Sequence, residues 1–152
     1  MDDLKIIKLE THDTRDIHDK HVNGSLTVIW RDWDNIIQNH PKMIYVTSVS
    51  RGEIKGPHVH TKRDSYFFCI LGKVVLITRD KKGKYNEKIL DENEPELVHI
   101  PKNVASMHIN LSENVSKILV LADISWKPND DEMKNVEFSD YDYSKWKIKA
   151  KN

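Results

Sequence analysis

The sequence predicts an all-β domain, either a sandwich or a closed barrel. Three observations predict it. Short runs of β-branched, aliphatic and aromatic residues recur along the chain. Turn-forming residues separate them. No strong amphipathic helical pattern fills the gaps between them.

Leu26 to Trp30 is the first run. Met43 to Val49 follows and alternates, with Ile44, Val46 and Ser48 on one face against Met43, Tyr45, Thr47 and Val49. Tyr66 to Leu71 is apolar throughout and stops at Gly72, and Val74 to Thr78 comes next. Asp80-Lys81-Lys82-Gly83 reads as a hairpin turn, because glycine supplies the positive φ such turns need. Lys84 to Leu90 is then the returning strand, and Asp91 to Pro95 breaks it. Leu97 to Ile100 is a short strand stopped by Pro101, and Pro101-Lys102-Asn103 turns the chain. Met107 to Leu111 and Lys117 to Ala122 are the last clear strands, with Ser112-Glu113-Asn114 between them. Asp32 to Asn39 is the one helix candidate. The tail from Lys127 is polar but carries Phe138, Tyr141, Tyr143 and Trp146, which suit packing over the barrel or onto a second subunit.

A chain of 152 residues suits one core, so 1–152 reads as a single domain. Its 24 basic and 24 acidic residues balance, which gives no general electrostatic case for nucleic acid or an anionic membrane. No apolar run reaches membrane-spanning length. The start, Met1-Asp2-Asp3-Leu4-Lys5, lacks the pattern of a signal peptide. The lone Cys69 lies in an apolar run, so it reads as a small core residue and leaves no internal disulfide. A cytoplasmic location is the expectation.

The sharpest local feature is Gly56-Pro57-His58-Val59-His60. Two histidines two apart on a strand share a face, so both imidazoles enter one cavity if that face is the interior. Asp64 follows, and a third histidine, His108, comes after the turn at Pro101. The plainer reading is that these histidines only fill a polar interior. The other five (His12, His18, His21, His40 and His99) show no comparable pattern and read as surface or ordinary polar positions.

His-x-His, an acid nearby, Gly72 after a hydrophobic strand, and a distant Pro…His108-Ile109-Asn110 resemble the two motifs of the cupin superfamily. The resemblance implies a cupin-type β-barrel (jelly roll) with a short irregular C-terminal segment. In metal-binding cupins the matching positions hold a divalent metal; here they are His58, His60, Asp64 and His108. Asp64 stands where the motif prefers glutamate.

The surrounding segments narrow the resemblance. Tyr45 to Val49 leading into Gly52 to His60, then Ile100-Pro101, Asn110 to Glu113, Trp126 to Glu132 and Phe138 to Trp146, are similar in order to the dTDP-4-dehydrorhamnose 3,5-epimerase family. The His-x-His wall is also similar to the nucleotide-sugar 3,4-ketoisomerases, through Gly56-Pro57-His58-Val59-His60-Thr61-Lys62. Both imply an isomerase acting on a nucleotide-diphospho-4-keto-6-deoxy sugar without a metal. A ketone acidifies its neighbouring C–H bonds, and histidine can take and return such a proton near neutral pH.

The resemblance implies His58 as the base, Asp140 (or Asp142) as its carboxylate partner, His60 as a second proton carrier and Tyr45 as the group polarising the carbonyl. Arg51 and Lys55 are the leading diphosphate candidates, ahead of Lys62, Arg63 and Lys73, with His108 also on the substrate side. Trp126 is a candidate for stacking on the base, as are Trp30 and Trp33, although core or subunit packing is the plainer role for each. Val120 departs from the epimerase pattern, which places a tyrosine there, and Ser65 stands at its phosphate-side lysine. A homodimer is expected by analogy. The alternatives are the metal-dependent cupin and a non-catalytic sugar-binding module.

Overall fold

The computed structural model describes residues 4–147. Two five-stranded antiparallel sheets face one another. Among the described residues twelve strands run in chain order: β1 (Lys5–Lys8), β2 (Thr11–Arg15), β3 (Val22–Thr27), β4 (Met43–Val49), β5 (Ile54–His60), β6 (Ser65–Leu71), β7 (Lys73–Arg79), β8 (Tyr85–Asp91), β9 (Glu96–Ile100), β10 (Ala105–Asn110), β11 (Ser116–Ala122) and β12 (Met133–Asn135). The first sheet has the order β1-β9-β6-β11-β4, the second β12-β5-β10-β7-β8, and β2-β3 form a separate hairpin. Among the described residues no helix is long and apolar enough to cross a membrane. The all-β prediction holds, and the strand boundaries read from Met43 onward fall within about two residues of the observed ones.

Alternation along the strands sorts side chains into three apolar layers. Between the sheets lie Phe67, Cys69, Val98, Ile118 and Val120 from the first and Val74, Leu76 and Leu90 from the second. Cys69 is buried there as expected, and burial pushes its thiol up to about 11. On the outside of the second sheet, Val75, Ile77, Met107 and Ile109 are covered by Phe138 and Tyr141. The aromatic tail therefore packs on the barrel's outer wall. Outside the first sheet, Tyr66, Phe68, Leu97 and Leu121 are covered by Leu9 and Ile37.

Two expectations are corrected. Asp32 to Asn39 is not a helix. Asn35 takes a positive φ of 52°, and the Asp34 carboxylate accepts from the Ile36 backbone N–H, which holds the segment in turns. The first predicted strand is displaced as well: β3 ends at Thr27, the Val28 N–H still donates to the Glu10 carbonyl at 3.1 Å, and Val28 to Trp30 lie outside any strand.

Candidate active site

β5 builds the site. His58 pairs with Ser106 and Lys55 with His108 across β10. Opposed residues share a face, and His108 is also opposite Leu76 of the interior layer. Lys55 and His58 are three apart, so a regular strand would point them to opposite faces. A register shift between Ser106 and His108 brings both inward. That bulge holds Gly56, with φ of 95°, and a cis Gly56–Pro57 peptide. A Cβ on Gly56 would lie 2.9 Å from the Ser106 carbonyl oxygen, so the close approach to β10 requires glycine.

His58 and His60 meet edge to face, with ring centroids 5.1 Å apart. Their surroundings differ. β12 runs beside β5, with Asn135 opposite His58 and Met133 opposite His60, and so delivers Glu132 to the His60 ring. His60 Nδ1 lies 2.8 Å from Glu132 Oε2. Arg63 Nη2 lies 2.7 Å from His60 Nε2. A guanidinium only donates, so Nε2 must accept and the proton must sit on Nδ1, donated to the carboxylate. Glu132 Oε1 also accepts from the backbone N–H groups of Lys62, at 3.4 Å, and Arg63, at 3.2 Å. The tautomer of His60 is thus held from both ends. Burial, with Arg63 beside it, lowers its pKa, and the Glu132 hydrogen bond opposes the shift.

No hydrogen-bond partner for the His58 ring occurs among the described residues. Burial, reinforced by His60, Arg63 and Lys55, takes its pKa down to about 4. It is neutral at working pH and has a free nitrogen. His108 is fully buried, with its ring edge-on to Phe67 at 5.0 Å and its Nε2 without a partner. Burial takes its pKa to about 3.

Tyr45 joins the group from the opposite sheet. It lies opposite Val120 and packs against the interior layer. Arg63 Cζ is 5.6 Å from its ring centroid. Burial raises the phenol's pKa, so Tyr45 is a neutral donor. Lys55 Nζ donates to Thr47 Oγ1. Ser65, buried, leaves its hydroxyl without a partner.

The other expected residues lie elsewhere. Asp140 is exposed, accepts from Tyr85 Oη, and lies near Arg79, where the tail crosses the outer wall. It is not paired with His58. Asp142 caps the short 3₁₀ turn Tyr143–Trp146 instead. Both are displaced because Phe138 and Tyr141 anchor the tail outside the barrel. Arg51 is exposed and pairs with Glu113 at 2.7 Å. Trp126 is 65% exposed, with its backbone N–H 3.5 Å from Met43 Sδ. Trp33 is 68% exposed, and Trp30 sits edge-on to His40 outside the first sheet.

The four cupin metal positions do not fit an ion. Asp64 accepts from His99 Nε2 at 3.0 Å and from the Lys102 backbone N–H at 3.2 Å. Both nitrogens of His60 are engaged. Among the described residues, no three of these donor atoms come within 4.8 Å of one another. The group that does, Asp16, Asp19 and His21, closes the exposed β2–β3 turn.

In the sequence Arg63 stands behind Arg51 and Lys55 as a phosphate candidate, and Glu132 is only part of the segment Trp126 to Glu132. The local signal is weak. Glu132 ends the run Asp130-Asp131-Glu132, and the strand that follows it, β12, has three residues.

The family model described as "FdtA: WxcM-like, C-terminal" matches residues 2–142. Over 147 residues the chain is 26% identical to the spore coat polysaccharide biosynthesis protein SpsL of Bacillus subtilis (strain 168), covering 92% of this chain and 91% of that protein. It is similar in structure to a 3,4-ketoisomerase from Helicobacter canadensis, with TM-score 0.70 and 21% identity over 95% of this chain and 94% of that one. It is also similar to a dTDP-6-deoxy-D-glucose-3,5-epimerase from Legionella pneumophila Philadelphia 1, with TM-score 0.74 and 15% identity over 90% of this chain and 74% of that one. At these identities the two structures speak for the fold.

Proposed function

The chain belongs to the WxcM-like, C-terminal family, and from that premise we propose that it isomerises a nucleotide-diphospho-4-keto-6-deoxy sugar, moving the ketone to the adjacent carbon with His58 as the base. One observation carries the reading: two neutral imidazoles share an inward wall, one bare and one clamped. The bare ring can accept a proton from the carbon beside the ketone. The electron pair left behind forms a carbon–carbon double bond, and the carbonyl pair moves onto oxygen. Protonation of that oxygen gives an enediol. Loss of the neighbouring hydroxyl proton and return of a proton to the former carbonyl carbon then complete the transfer, with no net oxidation.

Two observations favour ketone transfer over double epimerisation. The position expected to hold the epimerase tyrosine is Val120, which is 0% exposed in the interior layer. The wall of His58 beside His60 is the part of the chain that is similar to the His-x-His segment of the 3,4-ketoisomerases. The spore coat polysaccharide relative supports a place in cell-surface carbohydrate synthesis. The reading needs no metal, and the working unit is taken as a homodimer.

The test is incubation with dTDP-4-keto-6-deoxyglucose in deuterium oxide, followed by proton NMR. A 3-keto product carrying deuterium at carbon 4 is expected. Inversion at carbons 3 and 5 would move the protein to the epimerases. Binding without exchange would make it a sugar-binding module.

A further inference from the structure

We infer that Arg63 is itself a catalytic residue, whose guanidinium binds the oxygen that becomes negative when His58 removes the sugar proton. The inference rests on the isomerase reading above and deepens it.

Arg63 is an unusual buried cation. Its residue is 7% exposed. Among the described residues its side chain forms no ion pair with a carboxylate, and its nearest polar partner is the neutral acceptor Nε2 of His60. Its Nε is buried with no hydrogen-bond partner. Burying a charge with an unused donor is costly unless something else meets it. Glu132 balances the charge only through the His60 ring, which stands between the two.

The position fits a use for that charge. The guanidinium lies against the His60 ring on one side and the Tyr45 ring on the other, while His60 touches His58. A pyranose lying across this wall can offer its reacting carbon to His58 and the adjacent oxygen to Arg63. Arginine keeps its charge at any working pH, and its fixed fork suits an anionic oxygen. Donors placed in advance where negative charge develops act on the transition state without reorganising.

His60 follows from this. Its Nε2 is occupied by an arginine proton, and its own proton is held by Glu132. In this arrangement it positions Arg63 and is not free to carry a proton. Of the other polar groups nearby, Lys55 is engaged with Thr47 and Tyr45 is a neutral donor.

Arg63→Gln and Arg63→Lys test the assignment. Glutamine keeps an N–H for His60 but loses the charge. Lysine keeps the charge but loses the fork. Deuterium exchange into dTDP-4-keto-6-deoxyglucose is measured for each, with circular dichroism and dTDP binding as controls for folding and the site. Arg63→Gln should exchange roughly 100- to 1000-fold more slowly than the parent, with binding retained. Arg63→Lys should exceed Arg63→Gln by at least about tenfold. Glutamine equal to or better than lysine would overturn the assignment and leave Arg63 as a prop for His60. If the glutamine variant does not fold, Arg63→Lys with its rate below about a thousandth of the parent would also overturn it. No exchange by the parent removes the isomerase reading, and this inference with it, so the two failures are distinguishable.

Discussion

At the scale of single residues, the two histidines differ because their ring nitrogens meet different neighbours. His60 donates to Glu132 and accepts from Arg63. His58 meets neither and is pressed down to about 4 by burial and nearby positive groups. The sign of that shift matters for activity. The working form of a base is the unprotonated one, and a lowered pKa keeps it unprotonated further into acid. Thus kcat/KM should stay near its plateau at pH 5.5, where a histidine of ordinary pKa would be about nine-tenths protonated. A pH profile decides this, and an acid limb near 6.5 would contradict it. The pairing of His58 with His60 was legible in the sequence, because strand alternation alone puts them on one face. The clamp was not. Glu132 is 72 residues from His60, and no local pattern announces that contact.

At the scale of elements, β5 matters most. Its bulge lets Lys55, His58 and His60 all face inward despite their odd spacing. Gly56 makes the bulge possible. Gly56→Ala should cost about 1–3 kcal/mol of stability, since the new Cβ meets β10 in a conformation that L residues avoid. It should also reduce turnover more than substrate binding, by turning His58 off its line. Urea unfolding and steady-state kinetics read the two effects, and an alanine variant of parental stability and rate would refute this account of the bulge. Runs such as Met43 to Val49 and Tyr66 to Leu71 were legible as strands because their apolar faces are long. β1, β2 and β12 were not, because they are short and largely exposed. The tail's aromatics were legible as packing residues, but nothing local told which wall they cover. That choice carried Asp140 away from His58.

At the scale of the whole molecule, the outer face of the first sheet is finished unevenly. Part of its outer wall is covered by Leu9 and Ile37. β4, at the edge, leaves Ile44 57% and Val46 52% exposed, and Leu26 on the nearby hairpin is 56% exposed. An edge strand with an apolar outer face calls for a cover. The homodimer proposed here places a second copy on that face. Sedimentation should therefore give about twice the 17.8 kDa chain mass, with Ile44→Lys shifting the protein toward monomer. A parent that sediments as a single chain at micromolar concentration would contradict it.

The central claim is that His58 takes the proton, and the most direct measurement compares parent and His58→Gln for deuterium entry into dTDP-4-keto-6-deoxyglucose. The account predicts that the variant folds, binds dTDP as the parent does, and incorporates deuterium at least about a hundredfold more slowly. A folded His58→Gln that exchanges at the parental rate would show that another group removes the proton, and the account would fail at its base.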